Sequence, residues 1–420
     1  MTRHEAKDTM QKKALNSWFR RGCKGVLQLA TGAGKTYAAI KAIKWVMGQK
    51  SDAKILIIVP TTVIRDDVFP DEFKKWNFEE ALDKVTIECI QTVYKWKDKH
   101  FDLIIGDEWH NYIPEEDDYD SKLYEYHKFF ENNTYDRLLG LTAWIPEKKR
   151  KISRKIVPVA YTLTTDDAVE LGIISPYVEF NMPIEMDKEE LTAYNKIQGN
   201  YRRLENKLGG YIAFSRAGQY MKDIGKIKPN DRTSQEKEQI GDASMFWKIM
   251  QKRKKFLYEC PSKVKIVHQV IDELNLSGSV IFSQATIFAD LICVGRNDIL
   301  PFHSKLKKKD SFLTAFKNNN NGFNHLSTCI AVNEGMDIPK LPNIIIASRT
   351  SGAKAHIQRR GRCLRFQEGK TSYVFNLYLP GTQDEKWLRS SQKTTNANRI
   401  KWVKNLNETK EIIKLLELKK

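Results

Sequence analysis

The chain has 420 residues, roughly three domains at about 150 residues each, and with 41% apolar and 29% charged residues it has material for one or two sizeable cores. This excludes a wholly disordered, collagen-like or disulfide-stapled chain. Seventy Lys and Arg stand against 52 Asp and Glu, a net charge of +18, and so large an excess points to an anionic partner, nucleic acid above all, with solubility alone as the bland alternative.

Six cysteines (Cys23, Cys89, Cys260, Cys293, Cys329 and Cys363) are widely spaced and form no Cys-x-x-Cys pair. Neither a zinc site nor a disulfide framework is expected, and free thiols in a reducing compartment are the default. Apolar runs such as 55–59 and 344–347 fall far below the ~20 residues of a membrane span. The charged start has no apolar stretch behind it, so no secretory signal is read there. The expectation is a soluble, cytoplasmic, basic protein with no membrane partner.

From residue 25 to 170, short β-rich runs (25–29, 55–59, 85–90 and 103–105) alternate with helical patterns such as 36–48, where Ala39, Ile40, Ile43, Val46 and Met47 share a face. All-apolar strands alternating with amphipathic helices signal a parallel sheet covered on both sides. The segment from 185 to 260 differs, interleaving basic and aromatic residues with few strand-like runs. It reads as a mostly helical insert with a polar break near 226–239. A second α/β series runs from about 262 to 380, with strands at 280–282, 329–332, 343–347 and 372–377. The tail at 410–420 sets Ile412, Ile413, Leu415, Leu416 and Leu418 among lysines, as in a short docking helix.

Within the first unit, the strand at 25–29 runs into Ala-Thr-Gly-Ala-Gly-Lys-Thr (30–36) and then a helix. Gly32 and Gly34 let the backbone curl so that successive N–H groups point at phosphate oxygens, and the helix adds its N-terminal partial charge. In such a loop Lys35 reaches the β- and γ-phosphates and the Thr36 hydroxyl ligates Mg²⁺. Leu29 stands where the full motif has its first Gly. About 70 residues on, an apolar strand ends in Asp107-Glu108-Trp109-His110. Carboxylates at the C-terminal end of a parallel strand face the ligand crevice: Asp107 suits Mg²⁺, Glu108 the attacking water. A solvated strand-end acid pair is the bland alternative. In the second unit Arg362 and Arg365 stand three apart, on one face if helical. They suit either charge neutralisation on a transferring phosphate or plain binding of phosphate backbones.

These residues resemble the superfamily-2 helicases, motors with two RecA-like domains. The match consists of 30–36, Val-Pro-Thr (59–61), Gln91-Thr92, Asp-Glu-Trp-His (107–110), Leu-Thr-Ala (141–143), Phe282-Ser283, His303-Ser304, Asn-Glu-Gly-Met-Asp-Ile-Pro (333–339) and Gln-Arg-Arg-Gly-Arg-Cys-Leu-Arg (358–365), in the family's order. Asp-Glu-x-His resembles the DExH branch, and the whole is most similar to compact phage helicases of the UvsW type and to restriction-motor and XPB relatives. The implied fold is α/β: two tandem RecA-like domains with parallel sheets plus a mostly helical insert. Its expected divisions are a first motor domain at 1–165, a connection at 166–184, the insert at 185–260, a second motor domain at 261–390 and a helical tail at 391–420.

The resemblance implies ATP as substrate with Mg²⁺, held by Thr31, Gly32, Ala33, Gly34, Lys35 and Thr36, with Asp107 on the metal and Glu108 as base. Gln11 would sense adenine, although Lys7-Asp8-Thr9-Met10 precedes it in place of the usual Leu-Arg-Pro-Tyr. His110 and Gln358 would couple the domains across the nucleotide, Arg362 and Arg365 would be arginine fingers, and Gly335 and Asp337 would line the same cleft. Thr61, Gln91, Thr92, Ser283, His303 and Thr328 would touch the nucleic-acid backbone, and Thr142 would link hydrolysis to movement. The implied activity is DNA unwinding or branch migration in repair, recombination or replication, on single-stranded, forked or branched DNA. An RNA helicase, the motor subunit of a restriction or defence complex, and an ATP-gated clamp are the alternatives. For a phage-encoded chain the compartment is the cytoplasm of the bacterial host.

Overall fold

The computed structural model describes residues 2–93, 96–115, 122–303, 305–306, 314, 316, 322–329, 342–350, 369 and 371–418, with the side chains of 122–125 excepted. Two parallel sheets organise it. The first contains β1 (Lys24–Leu29), β2 (Ile55–Val59), β3 (Val85–Cys89), β4 (His100–Asp107), β5 (Thr134–Thr142) and β6 (Val159–Leu163). Their order is β3-β2-β4-β5-β1-β6, every pairing parallel. Because side chains alternate across a strand, each apolar run feeds two cores. Leu27, Ile57, Leu103, Ile105 and Leu139 face one cluster, whereas Val26, Leu56, Ile58, Ile104 and Leu138 face the other. The helix Arg3–Phe19 packs on the first of these faces, where buried Trp18 donates its indole N–H to the Leu138 carbonyl at 3.0 Å.

The second sheet contains β7 (Tyr177–Pro183), β8 (Ser279–Ser283), β9 (Ile299–Phe302), β10 (His325–Cys329), β11 (Asn343–Ile346), β12 (Ser372–Tyr378) and β13 (Ile400–Trp402). The order is β13-β7-β12-β11-β8-β10-β9, again all parallel. Two α/β units with parallel sheets are thus present, as expected. The expected run at 329–332 is described only at Cys329, the last residue of β10, and its remaining residues lie outside the described ones; β10 itself starts four residues earlier, at His325. Polar Ser327 and Thr328 hid it, yet both are fully buried. β7 comes from the segment expected to be a connection, and β13 from the tail expected to be helical. Between β7 and β12 lies a buried polar network. Gln392 donates to Glu179 at 2.6 Å, Asn376 donates to Glu179 at 3.2 Å, and Arg349 donates to Asn376 at 2.9 Å. Burial lowers the pKa of the Arg349 guanidinium from its ordinary value.

Three helices, Lys188–Lys207, Ala213–Asp223 and Ser234–Glu259, form the insert. The polar break is shorter than its composition suggested, because a Thr233–Glu236 capping box starts the last helix at Ser234. A small separate core of Leu204, Leu208, Ala213, Ala217, Ala243 and Phe246 holds the helices together. The insert's two ends meet at Glu190, whose carboxylate accepts hydrogen bonds from the Ser262 N–H at 2.8 Å and from the Ser262 hydroxyl. Next to this root, Lys263 pairs with Asp384 at 2.7 Å, both side chains fully buried. The terminal helix Leu406–Leu418 lays Leu406, Ile412, Ile413 and Leu416 on the second core, as its pattern predicts. The five described cysteines are free, and no helix among the described residues is long and apolar enough to cross a membrane.

Candidate nucleotide and nucleic-acid site

β1 leads through residues 30–34 into the helix Lys35–Gln49. Gly32 and Gly34 have φ of +86° and +93°, left-handed backbone that a side chain would strain. Space closes the second position too: a Cβ on Gly34 would fall 2.5 Å from the Gln11 amide nitrogen. Gln11, 2% exposed, donates from that nitrogen to the Gly34 carbonyl at 3.3 Å. Its oxygen accepts from Lys41 at 3.4 Å, and Lys41 also bonds Asp8 at 2.6 Å. Hydrogen bonds from Lys12 and Lys41 hold Asp8 down at about 2. The sequence pointed to Gln11; the Asp8–Lys41 bracket around it carried no motif.

β4 delivers Asp107 at its C-terminal end, and Glu108 follows at φ +52°, a left-handed conformation uncommon for a residue with a side chain. The turn aims Glu108 back across the sheet. Its Oε1 lies 3.3 Å from Lys35 Nζ and its Oε2 lies 3.5 Å from His110 Nδ1. That same His110 nitrogen is 2.9 Å from the Thr142 hydroxyl at the end of β5. Four expected residues, Lys35, Glu108, His110 and Thr142, therefore form one continuous polar chain. Trp109, which has no polar task in the motif, is fully buried. It bonds Ser153 at 2.9 Å and sits where a Cβ on Gly140 would come within 2.9 Å of the ring. Tyr112 braces the turn, its single hydroxyl proton shared between the carbonyls of Ile58 at 2.7 Å and Asp107 at 2.8 Å. Sequence reading missed Tyr112, Ser153 and Lys149, whose ammonium donates to the His110 carbonyl at 3.1 Å.

The donor set suits a triphosphate with Mg²⁺. It offers backbone N–H groups at a helix start, one ammonium, the Thr36 hydroxyl and the Asp107 carboxylate, and the oxygen ligands match what a hard cation takes. Thr31, Gly32, Gly34, Lys35 and Thr36 are half-buried and Ala33 is fully buried. Gly335, Asp337, Gln358, Arg362 and Arg365 lie outside the described residues.

The six expected nucleic-acid contacts divide. Gln91 and Thr92 are exposed beyond β3, with the Gln91 amide bonded to the Pro60 carbonyl at 2.9 Å; half-buried Thr61 stands beside Pro60. This brings the ends of β2 and β3 together as one polar rim. Thr92 bonds Glu88 at 2.7 Å. Ser283 and Thr328 are instead fully buried, their hydroxyls bonded to backbone carbonyls within the lobe. His303 is 4% exposed and bonds Asp290 at 2.7 Å. In this structure these three brace the second sheet and offer no open surface.

A tandem RecA-like helicase fold is what the two sheets and their connections define. The family description "Type III restriction enzyme, res subunit" matches residues 6–147, and "Helicase conserved C-terminal domain" matches residues 262–367. The chain belongs to the superfamily-2 helicases, whose two domains imply ATP-dependent action on nucleic acid, usually with Mg²⁺. It is similar to the DNA 3'-5' translocase XPB2 of Sulfurisphaera tokodaii, 21% identical over 397 residues, covering 90% of this chain and 83% of that protein. Among solved structures, the Pyrococcus furiosus Hef helicase domain superposes with a TM-score of 0.55 at 17% identity, over 91% of this chain and 98% of that one. The ATP-dependent Type ISP restriction-modification enzyme LlaBIII bound to DNA gives a TM-score of 0.56 at 14% identity, over 95% of this chain and 31% of that one.

Proposed function

We propose that this chain is an ATP-driven DNA motor that translocates along DNA and unwinds or branch-migrates it during repair, recombination or replication. The observation that carries the proposal is the Lys35–Glu108–His110–Thr142 chain at the mouth of the glycine loop. Lys35 and the loop N–H groups would hold the phosphates of ATP, and Thr36 and Asp107 the Mg²⁺. Bound Mg²⁺ supplies charge neutralisation on the phosphates. Glu108 would take the proton of the attacking water, and its change of charge would be felt by His110 and, through the shared nitrogen, by Thr142. Arg362 and Arg365 would approach from the second lobe. Closure on nucleotide and reopening after product release would then alternate the grip on the backbone, which yields stepping. The exposed rim of Gln91 and Thr92 would serve as part of that grip.

DNA is chosen over RNA because two of the relatives described above are tied to DNA by name, XPB2 as a DNA translocase and LlaBIII in complex. The restriction-enzyme family match favours a second reading, a motor subunit working beside a nuclease on another chain. The test is ATPase stimulation by single-stranded, duplex, forked and four-way DNA and by RNA. Stimulation by DNA with displacement of an annealed strand is expected. Stimulation by RNA alone would overturn the DNA assignment, and duplex tracking without displacement would favour the restriction-type motor.

A further inference from the structure

The insert uses most of its aromatic residues to hold itself together. Tyr201 packs on Phe246, and Arg253 lies over the Tyr201 ring at 3.6 Å. Two rings are left outside. Tyr211 is 98% exposed, and Phe214 is 59% exposed with its ring edge-on to half-buried Trp247 at 4.9 Å. An unburied aromatic forgoes the free energy of burial, so two exposed ones three residues apart call for an explanation.

The turn presenting them is fixed. Gly209 has φ +96°, and a Cβ there would fall 2.4 Å from the Arg216 guanidinium, which itself donates to the Leu208 carbonyl at 3.1 Å. One residue beyond Trp247, the helix Ser234–Glu259 begins a stripe of exposed lysines, Lys248, Lys252 and Lys255, spaced i, i+4 and i+7 on one face. Among the described residues only Lys255 of the three has an ion pair, a loose one with Glu259 at 3.9 Å. Across 185–260 Lys and Arg outnumber Asp and Glu by sixteen to eleven.

We propose that Tyr211 and Phe214 form a stacking platform for the bases of an unpaired nucleic-acid strand, whose phosphates run along Lys248, Lys252 and Lys255. Aromatic faces accept any base, and a row of ammonium groups follows a backbone without reading sequence, so the platform is sequence-tolerant. It rests on the motor reading above and adds a second, ATP-independent hold on the strand.

The test uses the full chain and a single-stranded oligonucleotide carrying 2-aminopurine, with ATPase stimulation followed in parallel. Wild type is expected to change the 2-aminopurine fluorescence on binding. Tyr211→Ala and Phe214→Ala should each weaken binding roughly 5- to 150-fold, the range for one lost stack, and abolish the fluorescence change, while Tyr211→Trp retains both. Lys248→Gln with Lys252→Gln should lower the salt slope of log K by about 1.4, two phosphate contacts on a single strand. All are surface positions, and far-ultraviolet circular dichroism confirms folding. If wild type is DNA-stimulated but the alanine variants bind and signal as wild type does, the platform is overturned and the motor reading stands. If wild type itself neither binds nor responds to nucleic acid, the motor reading fails first.

Discussion

Lys35 Nζ lies 3.3 Å from Glu108 Oε1, so a cation from the head of one helix and a carboxylate following β4 already neutralise each other in the cleft. Both side chains are about five-sixths buried, 14% and 16% exposed, where an unpartnered charge is costly. Phosphate oxygens are a better partner for the ammonium, and engaging them would free Glu108 to act as a base. Lys35→Ala is expected to reduce ATP turnover at least about 10²–10³-fold, the cost of losing one stabilising donor. Phosphate release measured near the wild-type rate would remove the loop from the reaction.

Thr142→Val keeps the shape of a fully buried side chain and deletes the hydroxyl that meets His110. Hydrolysis is expected to continue while base pairs displaced per ATP fall. A strand-displacement assay run beside a phosphate-release assay reads that ratio, and an unchanged ratio would show that the contact has no coupling role.

Arg362→Ala is expected to leave nucleotide affinity intact and slow hydrolysis by at least ~100-fold, in line with the arginine-finger range. Fluorescent-nucleotide titration and single-turnover hydrolysis separate the two effects. Loss of affinity with hydrolysis per bound nucleotide unchanged would assign Arg362 to binding alone.

Lys263 and Asp384 test the second lobe's construction. Lys263→Ala leaves a carboxylate buried without its cation, and the expected loss is about 3–5 kcal/mol in a denaturant titration. Replacing both partners together, Lys263→Met with Asp384→Leu, should recover most of it. Equal losses for single and double variants would mean that the pair's charge is not what matters.

His325 is 2% exposed and bonds Ser279 at 2.8 Å, and burial lowers its pKa below the ordinary 6.5. The unfolded chain therefore takes up a proton that the folded lobe resists. Stability is complete above pH 6.5 and declines as pH falls below it, until the folded pKa is reached. Chemical unfolding at a series of pH values should show this decline, and His325→Asn should flatten it.

The first sheet's middle was legible in the sequence because its strands are unbroken apolar runs, and 55–59 coincides with β2. Where burial is polar, the pattern misleads. β10 reads as His-Leu-Ser-Thr-Cys, and only its pairing with β8 and β9 makes it a strand. β7 carries Glu179 and Asn181, whose partners lie about 200 residues away, so no local signal could report that they are buried. The glycine loop and the strand-end acids were legible because glycine, lysine and acid spacing reflects local backbone geometry. Ser283, His303 and Thr328 were expected by resemblance to touch the nucleic-acid backbone; in this structure all three are buried, and nothing local in a short motif reports that burial.

Asp187, Glu190 and Ser262 bring the start and finish of the three-helix excursion within a hydrogen bond of each other. A module whose stem is pinched shut in this way can be exchanged beyond its root, provided that β7 and the root residues Tyr194 and Leu257, which are buried in the lobe's own core, stay with the host. Swapping one cassette at this point would change the insert while leaving both sheets in place, and domain-transplant chimeras should join at this stem.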